Sequence, residues 1–412
     1  NSNAVPLSTA YAMIDSNVIV SSGSLITTGD NSSAVVFRAD STYNNALVTN
    51  NAILNSGIIQ TSGIRSNGIV LSSLEAFYDL TPSDAITAAN TVVNSGRLET
   101  SGYGSNGILL SASSGSGAAQ VDDNIIENSG IIGTEGTGAN GILLSAGPIS
   151  AEVADNQILN SGSVATTGGF AHGIHLSAIS MASGSEAMAQ VEGNVISNTG
   201  SIATAGGWAR GIYLHASSYH ASSSVVSNSV VNAGQISTQG NAADGIYIRT
   251  WTVDGAGATI EDNLIGNSGS ISTEDEFSSG VMLAALAAYG SGEASIAGNM
   301  ILNTGYITTA GYRASGVYLH GYGFGAAPSI DKNIISNTGI ITTDGDVAIG
   351  IRIAAGGSSS TIITNNVIEN SGRIATTGEY SDGIGLLAGS PAQVTGNSIV
   401  NTGAIEVAGH DC

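Results

Sequence analysis

The 412-residue sequence predicts an all-β fold: a single parallel β-helix of about twelve coils, each made of three short strands. Three observations carry this expectation. An Asn-x-Gly triplet, with Ser or Thr at its centre in all but one copy, recurs at intervals of 31 to 39 residues. Its glycines run from Gly57 through Gly200 to Gly403, and Ser21-Ser22-Gly23 supplies a variant first copy. Apolar residues alternate with others at period 2 around each triplet, the signature of a strand. All length variation falls in one segment of 10 to 18 residues between successive blocks.

The first strand of each block leads into the triplet. Asn stands six residues before every glycine, from Asn17 to Asn397, and Ile or Val stands four before, as in Ile19, Ile196 and Ile399. In Asn194-Val195-Ile196-Ser197-Asn198, the isoleucine shares a face with both asparagines. The second strand follows the glycine. An aliphatic residue comes two positions later (Ile202, Ile307), Thr four later in eleven copies and Gly six later in eleven. The third strand is Gly-Ile-x-Leu, as in Gly211-Ile212-Tyr213-Leu214. The variable segment then ends with Val or Ile three residues before the next Asn, as in Val191, Ile260, Ile296 and Ile330.

Three such strands cannot bury themselves, but stacked coils bury continuous aliphatic columns. The glycines are expected at sharp turns needing positive φ. The asparagine columns are expected to face inward, bonding turn backbone and the equivalent Asn of the next coil. At about 4.8 Å per coil, the rod is roughly 55–60 Å long. A repeat array grows without starting a new core, so residues 1–412 read as one domain. Residues 1–16 are a partial first coil, 17–396 eleven repeats and 397–412 a partial last coil.

Composition narrows the functional classes. There are 31 Asp+Glu against nine Lys+Arg, a net charge of −22. Such a chain is not expected to bind nucleic acid or anionic membrane. No run of 18 apolar residues is present, so no membrane-spanning helix is expected. The single cysteine, Cys412, has no internal partner and suggests intermolecular pairing or a free thiol.

The pattern Asn-x-Ile-x-Asn-Ser/Thr-Gly-x-Ile-x-Thr-x-Gly, continued by Gly-Ile-x-Leu, resembles the passenger repeats of bacterial autotransporters and related secreted β-helical adhesins. The resemblance covers nearly the whole chain. It implies an extracellular or outer-surface location in a Gram-negative bacterium. It does not by itself imply one activity.

No nucleotide loop, Cys/His metal spacing or paired nucleophile and base is visible, and no enzymatic activity is expected. The histidines (His172, His175, His215, His220, His320, His410) read as exposed polar positions, and the nine basic residues read as scattered. No cofactor is expected; Ca²⁺ is the one candidate, at acidic groups such as Asp122-Asp123, Glu274-Asp275-Glu276 and Asp344-Gly345-Asp346. The Thr column faces inward with the buried Ile, which argues against an ice-binding array.

Two features point to partners. Aromatics recur three or four residues ahead of the Gly-Ile-x-Leu glycine: Tyr103, Phe170, Trp208, Phe277, Tyr312 and Tyr380. They either cover their own turns or form a lateral row for a glycan or host protein. The sequence also starts with a stretch that matches a third strand and stops inside the turn preceding one. Ala4, Val5, Leu7, Ile14, Ile405, Gly409 and Cys412 are therefore candidates for a head-to-tail junction with a second copy. The expected role is an extracellular structural subunit stacking into a filament, fibre or sheath, with an adhesin passenger binding a glycan or host surface as the alternative and a polysaccharide lyase or hydrolase as the third reading.

Overall fold

The computed structural model describes residues 11–76, 82–182, 187–254, 257–289, 292–325, 327–358 and 360–409. The described residues form strands joined by turns, and all pairings are parallel between one coil and the next. Three sheets wrap one core, as expected of a β-solenoid. The first is built from the Asn strands, twelve of them from Val18–Ser21 to Ser398–Asn401. The second holds the Thr strands, also twelve, from Ser24–Thr28 to Ala404–Ala408.

The third sheet holds 21 strands, because most coils give it two. One is the Gly-Ile-x-Leu strand, as in Ile212–Ser218; the other is the end of the variable segment, as in Ser223–Val226. Most coils thus carry four strands on the three sheets, while in Ile108–Asp122 and Ile142–Ala154 the last two run together as one and the coil keeps three. The fourth is the stretch whose Val or Ile precedes the Asn, and Val191, Val225 and Ile260 are fully buried there.

The period-2 reading of the core holds. Ile196, Ile202, Ile212 and Leu214 are fully buried, as are their counterparts in the inner coils. The register sets like on like: Ile196 on Val230, Ile202 on Ile236 and Ile212 on Ile246. Both asparagine columns are ladders. From Asn17 to Asn397 each side-chain amide donates to the next coil's Oδ1, at 2.9–3.0 Å in Asn194–Asn228, Asn228–Asn263 and Asn263–Asn299. The second column does the same at 2.7–2.8 Å in Asn160–Asn198, Asn198–Asn232 and Asn232–Asn267. The Thr column also points inward. Thr204 Oγ1 donates to the Ala209 carbonyl at 2.7 Å, closing the turn that starts the third strand.

The glycines act for two reasons, not one. Gly63, Gly102 and Gly136 have φ between +125° and +134°, as expected of turn glycines. The Asn-x-Gly glycines do not. A Cβ at Gly234 would stand 2.0 Å from the Gly200 carbonyl oxygen, so crowding between stacked backbones fixes that column.

Candidate functional site

The outward positions of the third sheet change character along the rod. At the x of Gly-Ile-x-Leu, the aligned residues run Val70, Leu109, Leu143, His175, Tyr213, Tyr247, Met282, Tyr318 and Arg352. The column just after the Leu runs Ser177, His215, Arg249, Ala284, His320 and Ala354. The residue before the glycine is His172, Arg210 and Asp244 in three successive coils. Strand alternation and register therefore gather side chains about 35 residues apart in sequence.

Two groups result. In the first, His175 stacks on Tyr213 (4.7 Å between centroids) and Tyr213 on Tyr247 (5.3 Å). The Arg210 guanidinium lies 4.7 Å from the Tyr213 ring and 4.5 Å from the Tyr247 ring. It pairs with Asp244 at 3.5 Å, and both side chains are buried. Burial, together with the Arg210 charge, holds His175 down to about 3. Burial likewise lowers His172 and His215 well below the usual imidazole range. Burial raises Asp244 to about 6, outweighing the Arg210 charge. The second group is Tyr318, His320 and Arg352. Tyr318 and His320 are 5.3 Å apart, and Arg352 lies 4.7 Å from the Tyr318 ring. Burial, with Arg352, lowers His320 to about 4.

These placements correct two sequence expectations. His172, His175, His215 and His320 are not exposed polar residues: His175, His215 and His320 stack on tyrosines, and His172 meets His175 edge-on. His220 alone of the described histidines is exposed, and His410 lies outside the described residues. Nor are the basic residues all scattered, because Arg210, Arg249, Arg313 and Arg352 gather on or beside this one face.

The aromatic row is exposed. Tyr103 is 59% accessible, Phe170 56%, Trp208 47%, Phe277 43%, Tyr312 37% and Tyr380 57%. Phe170, Trp208, Phe277 and Tyr380 share one turn position and have φ between +55° and +63°. Tyr103 and Tyr312 sit one residue earlier in their turns. The structure brings together two neighbouring pairs: Phe170 with Trp208 (6.3 Å, planes 8° apart) and Phe277 with Tyr312 (5.7 Å, perpendicular). Ala242 holds the equivalent place in the coil between them, so the pairs stand apart, and Tyr103 and Tyr380 have no aromatic neighbour among the described residues.

Among the acidic groups, Asp122, Asp123 and Asp155 bring carboxylate oxygens within 4.8 Å of one another. Burial and then the charges of Asp123, Asp155 and Glu152 push Asp122 up to about 6. These oxygens are the donors a Ca²⁺ takes. The other acidic runs are used in turns: Asp275 accepts from Glu276 N–H, Asp346 from Glu379 N–H and Asp344 from the Thr377 hydroxyl. At the proposed junction, Ile14 is half-buried and Ile405 is 37% accessible beside an exposed Gly409. Ala4, Val5, Leu7 and Cys412 lie outside the described residues.

Comparison of the chain with protein-family models, with curated proteins and with solved structures finds no match.

Proposed function

We propose that this chain is a carbohydrate-binding β-solenoid, the shaft of an extracellular adhesin that engages glycans along its side. The observation that supports it most is where the exposed aromatics sit. A bulky residue at positive φ costs on the order of 1–3 kcal/mol. At the same turn position two coils use Gly104 and Gly138, which adopt that backbone freely, while Asn31, Arg65, Ala242, Arg313 and Val347 bear the same strain without a large exposed ring. Phe170 and Trp208 gain little burial in return. Two nearly parallel, half-exposed rings one coil apart form a platform suited to apolar sugar faces.

The test separates binding from folding. In Phe170→Gly with Trp208→Gly, glycine relieves the backbone, so the melting temperature should hold or rise. Binding on an array of neutral and acidic glycans should fall at least tenfold. A parent chain that binds no glycan, or a variant that binds as well as the parent, would reject this role.

A second reading, axial stacking into a fibre, is favoured by the polarity of the Asn ladder. Each amide donates onward, so the coil of Asn397 presents donors where the coil of Asn17 presents acceptors. A further coil from any source meets this complementarity. Light scattering over a wide concentration range tests it: one particle size throughout would exclude self-stacking.

A further inference from the structure

Beside the second aromatic pair the surface opens into a cleft of about 380 Å³, walled by Phe277, Met282, Tyr318, His320, Arg313 and Arg352. That volume lies in the range of about 300–1,000 Å³ typical of small-molecule sites. The fold builds it from three coils. Tyr318 and Arg352 are register neighbours in the third sheet, and Met282 stands one coil before them. Arg313 comes from the turn between, tied onward by its N–H to the Asp346 carbonyl at 2.9 Å.

The charges in the cleft are unusual for this chain. Its walls hold two guanidiniums and no carboxylate, although acids outnumber bases 31 to nine. Ion pairs among the described residues form at Arg38, Arg97, Arg210, Lys332 and Arg373, while Arg65, Arg249, Arg313 and Arg352 have none, and of these four only Arg313 and Arg352 share one cleft. Arg210, the comparable buried arginine of the first group, has Asp244. Arg352 has no such partner, and its Nε, like those of Arg210 and Arg249, is buried without a hydrogen bond. Each guanidinium instead stands by an aromatic face, Arg352 at 4.7 Å from Tyr318 and Arg313 at 5.0 Å from Tyr312. Two like charges facing one cavity, one with an orphaned donor, are complementary to an anion. Guanidiniums suit planar or tetrahedral oxyanions through paired N–H donors. The cleft is too large and too apolar for a bare ion, since Phe277, Met282 and Tyr318 form much of its wall.

We infer that this cleft binds an acidic sugar. A carboxylate or sulfate would lie between Arg313 and Arg352, with the ring's apolar face on Tyr318 and Phe277. The neutral imidazole of His320 supplies a hydrogen bond to a hydroxyl. This rests on the glycan-binding reading above and adds the class of glycan.

Calorimetric titration tests it with three sets of probes: oligosaccharides bearing a uronate, a sialate or a sulfate; their neutral counterparts; and inorganic sulfate and phosphate. Acidic sugars should bind at least tenfold more tightly than neutral ones. Arg352→Gln and Arg313→Gln should each remove most of that preference, while Arg97→Gln, a charge-matched change on another sheet, should keep it. Arg313 is exposed, so its variant folds even if the Arg352 variant does not. The carboxylate and sulfate series show which group the arginines read. Neutral sugars binding as well as acidic ones would overturn the inference and leave the lateral platform standing. Bare sulfate or phosphate binding as tightly as the acidic sugars would overturn it too, as would an unchanged preference in Arg313→Gln. No binding of any glycan would remove both readings together.

Discussion

The side-chain amide of Asn194 donates to Oδ1 of Asn228 at 2.9 Å, and the main-chain N–H of Asn194 shares that oxygen at 3.0 Å. Asn228 in turn donates to the Val191 and Val226 carbonyls and to Asn263. One buried amide therefore serves two turns and ties three successive coils together. Asn228→Ala leaves the Asn194 N–H without its acceptor and removes the side-chain bonds to Val191, Val226 and Asn263, although Gly193 N–H still reaches the Val226 carbonyl and the main-chain N–H of residue 228 still reaches Asn263 Oδ1. At about 0.5–1.5 kcal/mol per bond, more for buried groups left alone, it should cost about 3 kcal/mol or more. Asn397→Ala, at a partly exposed position, should cost about 1 kcal/mol. Denaturant unfolding of both variants checks this, and equal losses would show that burial is not what gives the ladder its strength.

The aliphatic columns make a harsher test. Ile202 is fully buried, between Val164 and Ile236 in register. In Ile202→Asp an unpaired carboxylate enters a dry core, at a cost of several kcal/mol. Because each coil leans only on its neighbours, loss of circular dichroism should begin in the adjoining coils. Unchanged thermal melting would contradict the inward placement.

The two kinds of glycine predict opposite outcomes. Gly234→Ala puts a methyl 2.0 Å from the Gly200 oxygen, which neither coil can escape without breaking register. A loss above about 3 kcal/mol is expected. Asp275 is the reverse case: it fills a place that is glycine in eleven coils, at φ +96°. Asp275→Gly relieves that backbone at the expense of one exposed bond to Glu276 N–H. It should raise stability by up to about 1 kcal/mol, and a loss on calorimetry would show that the bond outweighs the strain.

How much of this was legible in the sequence follows from what each column repeats. The inward slots repeat one residue type at fixed spacing, so the core, the parallel register and both Asn ladders could be read directly. The fourth strand was half legible: Val191 and Ile260 mark it, but the varying length before them hid its regularity. The outer face repeats position and not identity. His175, Tyr213, Tyr247, Met282, Tyr318 and Arg352 have nothing in common until the coils are written one beneath another at the Gly-Ile-x-Leu motif. Read that way, the switch from Val70, Leu109 and Leu143 to aromatic and basic residues is the signal. The positive φ of Phe170 and Trp208 leaves a trace too, in the Gly104 and Gly138 of neighbouring coils. The meeting of Asp122-Asp123 with Asp155 needed the register itself.

Acidification should weaken this rod before its ordinary carboxylates titrate. His175 is held at about 3 and His320 at about 4, and His172 and His215 also lie well below 6.5. Between these values and 6.5 the unfolded chain binds more protons than the native one. Stability from these groups is therefore complete above pH 6.5 and is lost as pH falls through the native values. Asp244 and Asp122, each raised to about 6 from 3.8, act in the opposite sense between those limits. His172 is buried and His175, His215 and His320 are largely covered, so four imidazoles with wide windows outweigh the two partly or fully buried carboxylates. The net loss between pH 6.5 and 4.5 should be on the order of a few kcal/mol, in a range above the titration of the hydrogen-bonded Asp15, Asp331 and Glu406. His175→Gln with His215→Gln should flatten the profile. Melting temperatures measured from pH 7.5 to 4.5 decide the matter: a parent curve that stays level or rises on acidification would mean that these imidazoles reach solvent and do not form the closed cluster described.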